Sequence, residues 1–202
     1  MMHKIKLVAT VSSDEELNLA NKADVVEFRL DFGEIGLKTD KEKILTIRRK
    51  ADGGNYNGTE EERLDKILEL SKNFEYVDLE FDCPDFIFEA LSKRAKLIES
   101  YHNFKETPEY DFLEYLVENK RGDLFKIATM GRSYEDVKKI VKLLLEYEDL
   151  VAFLMGEKFS FTRILSAFLG SPFIYCYVGT PKAPGQVELN STFEMLSRLG
   201  LR

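Results

Sequence analysis

"DLFKIATMGRSYEDVKKIVKLLLEYE", residues 123–148, decides how this chain is read. The first eight residues are a β-rich run with Lys126 set between Phe125 and Ile127. From Ser133 onward the chain becomes an amphipathic stretch whose apolar residues recur at helical spacing. A strand that gives way to a helix of this length suits a crossover to a parallel neighbour, because parallel strands cannot be joined by a tight turn.

The same unit recurs on both sides. Toward the start, "KIKLVATV" (4–11) precedes "SDEELNLANK", "ADVVEFRLD" (23–31) precedes a short irregular piece, and "KILTIRRK" (43–50) precedes "TEEERLDKILELSKN". "EYVDLEFD" (75–82) then precedes "PDFIFEALSKR", and "AKLIESYHNF" (95–104) precedes "PEYDFLEYLVENK". Toward the end, "LVAFLMG" (150–156) precedes "FTRILSAFL", and "SPFIYCYVG" (171–179) precedes "LNSTFEMLSRLG". Eight strands with seven helical connections predict a parallel sheet. The expected architecture is a compact single-domain (β/α)8 TIM barrel over residues 1–202, smaller than the roughly 250 residues usual for that fold. An open doubly wound sheet is the alternative. No GxGxxG or GxxxxGK[ST] follows any strand, which weakens its nucleotide-binding form.

Composition narrows the function. Apolar residues make up 44% and charged residues 32%, a globular balance, and no apolar run reaches the roughly 18 residues that span a bilayer. The opening "MMHKIKLVATV" does not read as a signal peptide, so a cytoplasmic protein without membrane partners is expected. A formal charge of −7 disfavours nucleic acid as a partner but leaves room for an anionic small molecule held by a few local cations. Cys83 and Cys176 lie far apart without a CxxC or companion histidine, so neither a disulfide framework nor a metal site is expected.

Strand alternation groups Glu27, Arg29 and Asp31 on one face, Arg48 with Thr46, Asp78 with Glu80 and Asp82, and His102 with Ser100. Any one of these sets reads as an ordinary ion-pair network. A barrel, however, gathers the carboxyl ends of all its strands over one small area, where catalytic groups sit. A lysine desolvated among apolar neighbours near two arginines favours the neutral amine, which attacks ketones. Lys126 with His102 one strand away therefore suggests imine formation followed by proton transfer beside the imine carbon.

These residues resemble the type I 3-dehydroquinate dehydratase family. The resemblance rests on "EFRLD" (27–31), "RRKADGG" (48–54), "SYHNFKETP" (100–108), "KIATM" (126–130), "MGEKFSFTR" (155–163) and "APGQ" (183–186), all in the family's order. It implies a (β/α)8 barrel that dehydrates 3-dehydroquinate to 3-dehydroshikimate in the shikimate pathway without metal or cofactor. It further implies that Lys126 forms the imine, that His102 moves protons as base and then acid, and that Asp52 orients His102. Arg163 would clamp the substrate carboxylate, Glu27, Arg29 and Arg48 would meet the substrate hydroxyls, and Met155 and Gln186 would complete the pocket, Gln186 from a closing loop. The small-molecule substrate is the expected partner, with a homodimer as the expected assembly.

Three positions depart from the family pattern. Asp52 stands where a glutamate is usual, Lys182 where a serine usually touches the carboxylate, and Phe159 where a glycine is usual. Lys182 would either supply that contact with a full charge or point to solvent. Two other readings stay open beside this one: a Schiff-base aldolase, and a non-catalytic barrel that binds a small anion.

Overall fold

The computed structural model describes residues 5–202. Its strands are β1 (Lys6–Val11), β2 (Val25–Arg29), β3 (Glu42–Thr46), β4 (Tyr76–Glu80), β5 (Lys96–Asn103), β6 (Leu124–Met130), β7 (Leu150–Met155), β8 (Phe173–Tyr177) and β9 (Val187–Glu188). The helices are α1 (Asp14–Leu19), α2 (Glu60–Leu70), α3 (Asp85–Leu91), α4 (Tyr110–Glu118), α5 (Tyr134–Glu146), α6 (Phe161–Phe168) and α7 (Leu189–Arg198). All eight expected strands and all seven helices are present, and the stretch between β2 and β3 is irregular as expected. Lys4, where the first strand was expected to begin, lies outside the described residues. The two-residue β9 is an addition.

Local chemistry sets where the helices start. At α2 the Thr59 hydroxyl accepts from the Glu62 amide while the Glu62 carboxylate accepts from the Thr59 amide at 2.8 Å. Each end thereby satisfies a donor that the first turn leaves free. Ahead of α5, Asp136 Oδ2 accepts the amides of Arg132 and Ser133, both at 2.8 Å, and adds negative charge at the helix N-terminus.

Every ladder is parallel, in the order β7-β6-β5-β4-β3-β2-β1-β8-β9. The sheet curls into a (β/α)8 barrel. Val8, Val25, Ile44, Tyr76, Ile98, Leu124, Val151 and Phe173, one from each of the eight long strands, belong to a single interior cluster. The opposite faces lie under the helices: Val26, Phe28, Val77 and Leu79 share one cluster with Ile67 and Leu91, while Phe125 and Ile127 share another with Leu113 and Leu143. Cys83 and Cys176 are free and buried. Among the described residues no helix is long and apolar enough to cross a membrane.

The ring is not laddered all the way round. Among the described residues no strand pairing joins β7 to β8, because β9 takes the edge of β8 on that side, with Cys176 opposite Val187 and Tyr177 opposite Glu188. Helix α6 packs on both strands in compensation. The buried Thr162 hydroxyl accepts the Leu154 amide at 2.9 Å, which occupies a donor of β7 that would otherwise seek a strand. Nearer the mouth, the Gly156 amide reaches the Pro184 carbonyl at 3.1 Å, so the 179–186 loop bridges the gap.

Candidate active site

Parity along each strand delivers one set of polar side chains to the barrel mouth, and register sets their height. Ser100 lies opposite Lys126 and His102 opposite Ala128, so the imidazole stands one inward step above the lysine on the neighbouring strand. One cavity at this end is lined by Lys126, His102, Asp52, Glu27, Arg29, Arg48, Met155, Arg163, Lys182 and Gln186, together with Thr10, Phe104, Phe153 and Tyr175. All ten residues singled out from the sequence therefore meet in one place.

Lys126 is only 4% exposed, and the nearest partner of its amine is a carboxylate, Asp78 Oδ2 at 2.7 Å, with Glu27 Oε1 at 3.8 Å. It also lies over the ring of Tyr175, 4.2 Å from the centroid. Asp78 uses its other oxygen on Arg48 Nη2 at 2.7 Å and also accepts from the Ser100 hydroxyl. Burial would raise the Asp78 pKa, but Arg48, Lys126 and His102 outweigh it and hold the carboxyl well below its usual range. Burial works against the Arg48 charge as well, and there Asp78 and Glu80 prevail and raise its pKa. Glu27 is fixed by the hydroxyls of Thr10 at 2.8 Å and Thr46 at 3.0 Å. Arg29 makes a two-pronged bond to Asp31 at 2.9 and 2.8 Å, and Asp31 also accepts the Asn55 amide, which ties the 53–55 loop to β2.

His102 has the opposite electrostatics. Burial, followed by the charges of Arg48 and Lys126, pushes its pKa well below the ordinary histidine value despite Asp78, so at neutral pH it is an uncharged base. Its Nδ1 is buried and has no partner among the described residues. Asp52 lines the same pocket, but its carboxylate is paired with Arg49 at 2.8 Å, and Arg49 in turn reaches Asp82 at 2.7 Å.

Arg163 rises from the first turn of α6, 2% exposed, with its guanidinium stacked 3.9 Å from the Phe153 centroid. Nε donates to the Gly185 carbonyl at 3.0 Å, while Nη2 is buried without a partner among the described residues. Burial lowers its pKa to about 10, since only Cys176 and Glu27 answer it electrostatically. A cationic fork left short of an acceptor suits a carboxylate. Lys182 does not point to solvent: it lines the pocket, with its ammonium held by Glu16 at 2.5 Å and by Thr180. Gln186 accepts the Lys182 amide at 2.8 Å and donates to Thr10 at 3.1 Å, so the loop is joined through Thr10 to Glu27. Phe159 is buried in a 3₁₀ turn at the start of α6, and the room it needs comes from Gly131, where a Cβ would stand 2.5 Å from its ring.

Tyr175 lies two residues after the inward Phe173, so strand parity alone places it in the pocket, although no motif in the sequence marks it. Parity likewise places Asp78 on an inward face without joining it to Lys126.

A (β/α)8 barrel with a buried lysine, an uncharged imidazole and an unsatisfied guanidinium in one pocket at the carboxyl ends of its strands falls among the barrel enzymes. Residues 8–201 match the family model described as type I 3-dehydroquinase. A 3-dehydroquinate dehydratase of Archaeoglobus fulgidus is 59% identical over 199 residues, covering 97% of this chain and 100% of that protein. Among solved structures, the 3-dehydroquinate dehydratase of Geobacillus kaustophilus HTA426 superposes with a TM-score of 0.82 at 21% identity, covering 96% of this chain and 91% of that one. That of Aquifex aeolicus VF5 gives 0.79 at 27%, covering 96% and 98%. The chain belongs to the type I 3-dehydroquinase family.

Proposed function

We propose that the protein dehydrates 3-dehydroquinate to 3-dehydroshikimate, a step of the shikimate pathway, through an imine on Lys126. The observation that carries this reading is the meeting of a buried lysine with an uncharged imidazole in a pocket where, among the described residues, the Arg163 guanidinium keeps a nitrogen without a partner and so suits a carboxylate. The substrate carboxylate goes to Arg163, which sets the ring in the pocket, and Arg29, Arg48 and Glu27 take the ring hydroxyls and ketone side. Lys126 condenses with the C3 ketone, and the resulting iminium draws electron density from C2. His102, uncharged, removes a C2 proton; the electron pair flows into the C–N unit to give an enamine. The pair then returns to expel the C1 hydroxyl, which takes its proton from His102 and leaves as water. Hydrolysis of the imine releases the conjugated enone and restores Lys126. Family membership supports the substrate, and the site chemistry supports the covalent route.

Incubating the protein with 3-dehydroquinate should produce the ultraviolet absorbance of the enone. Borohydride added during turnover should leave the mass of the reduced ligand on the peptide that contains Lys126. Enone formation without that label would remove the imine from the mechanism, and the absence of both would remove the function.

A further inference from the structure

Three buried side-chain nitrogen or oxygen atoms lack a hydrogen-bond partner among the described residues: His102 Nδ1, Arg163 Nη2 and Tyr175 Oη. All three residues line the same cavity. The first two are accounted for by proton transfer and carboxylate binding. Tyr175 is not. It sits on the inward face of β8, 4% exposed, in a five-residue strand whose other inward ring, Phe173, packs edge-on against Tyr76. A buried hydroxyl without a partner is costly, and a phenylalanine would fill the same space without that cost.

We infer that Tyr175 is a catalytic hydrogen-bond donor to the oxygen of the first adduct between Lys126 and a ketone. The inference rests on the imine reading above and deepens it. The Lys126 nitrogen lies over the very ring that bears the hydroxyl, so a carbon bonded to that nitrogen carries its oxygen to within a ring's width of Oη. Cation–π attraction also holds the nitrogen in place, before and after it becomes an iminium. Burial first, then Glu27 and Asp78, raise the phenol well above its ordinary value, so it remains an O–H and gives a hydrogen bond without giving up its proton.

The step balances without any added reagent. Lysine enters with three protons on its nitrogen, and its hydrogen-bonded partner Asp78 takes one of them, which frees the nitrogen's electron pair. That pair forms the bond to the carbonyl carbon, the C=O π pair moves onto oxygen, and the oxygen collects one proton from the nitrogen and the other back from Asp78. The C–O bond then breaks, and the oxygen leaves as water with two of those protons, while the third stays on the C=N⁺ nitrogen. The Tyr175 hydroxyl stabilises the oxygen as it gathers charge and as it departs. The tyrosine is unchanged at the end.

Tyr175→Phe keeps the ring and removes only the hydroxyl. In rapid-quench experiments with 3-dehydroquinate and borohydride, the rate at which Lys126 becomes trapped should fall about a hundred- to a thousandfold in Tyr175→Phe, the usual effect of losing one donor to a developing oxyanion. KM should change little. The ligand-free melting temperature should hold or rise, because an unpartnered buried hydroxyl has gone, whereas a merely structural tyrosine would lower it. Tyr175→Leu, which loses the ring as well, should slow trapping further. Trapping as fast in Tyr175→Phe as in the parent would overturn the assignment while leaving the imine intact. Failure to trap Lys126 in the parent would overturn both.

Discussion

His102 is the residue whose behaviour follows most directly from its surroundings. Its pKa in the folded protein lies below the unfolded value of about 6.5. As pH falls through that window, the unfolded state takes up a proton and the folded state does not, so this histidine weakens the fold on acidification and keeps its base form in the active protein. The acid limb of kcat/KM should therefore inflect well below 6.5, and Arg48→Met, which removes a like charge, should move the inflection upward. A parent inflection at or above 6.5 would show that another group governs it. Lys126→Ala and His102→Ala should fail at different steps. The first loses the electron sink and with it nearly all turnover; the second should still be labelled by borohydride while turnover falls about two to four orders of magnitude. Normal turnover in His102→Ala would make the histidine structural. The sequence disclosed which side chains point inward, since parity is a local property. It did not disclose that Asp78 is the partner of Lys126, because partners across strands depend on register and on competition among several carboxylates. Asp52 illustrates the same limit: the resemblance implies that it orients His102, directly or through water, and nothing in the sequence marks the pairing of its carboxylate with Arg49, three residues away on its own loop.

At the scale of elements, the segment that matters is the loop between β8 and β9. The glycines and prolines of "GTPKAPGQ" mark it in the sequence as a loop, but nothing there marks its anchor. Glu16, on α1 and 166 residues from Lys182, receives the Ser12 amide at 2.8 Å, the Thr180 hydroxyl at 3.3 Å and the Lys182 ammonium. Burial would raise the Glu16 pKa, and Lys182 and Ser12 reverse that and lower it. Gly185 brings the loop against Gly156, where an added Cβ would stand 2.4 Å from the carbonyl oxygen, and its own φ of +68° is one that glycine adopts freely. Lys182→Met, which keeps the stem and removes the charge, should speed proteolytic cutting within 179–186 in the ligand-free protein by about three- to tenfold. Product should restore part of the protection. Cutting at the parent rate would mean that Glu16 does not hold the loop.

For the whole molecule, the count and order of the β/α units were readable because each unit announces itself by a change in apolar period. How the ring closes was not, since β9 is only two residues long and its pairing carries no periodic signal. The Leu154 and Gly156 amides, held by a side chain and by a loop, should exchange with solvent through local opening, while the central amides of β5 and β6 should wait for global unfolding. Equal protection at both places would count against a weak join. The strands that the ladder does bring together at this side of the molecule are β1 and β8, with Lys6 opposite Phe173 and Thr10 opposite Tyr177, near opposite ends of the chain. A chain emerging from synthesis can thus complete the seven-strand ladder from β1 to β7 with both edges bare, and it gains Tyr175 and Gln186 only when its last portion returns to the first strand. That return closes a very long loop, the slow kind of step in folding. In refolding experiments, helical circular dichroism should consequently recover ahead of the capacity to be labelled at Lys126. Catalytic competence is then a property this polypeptide acquires late, when β8 docks on β1.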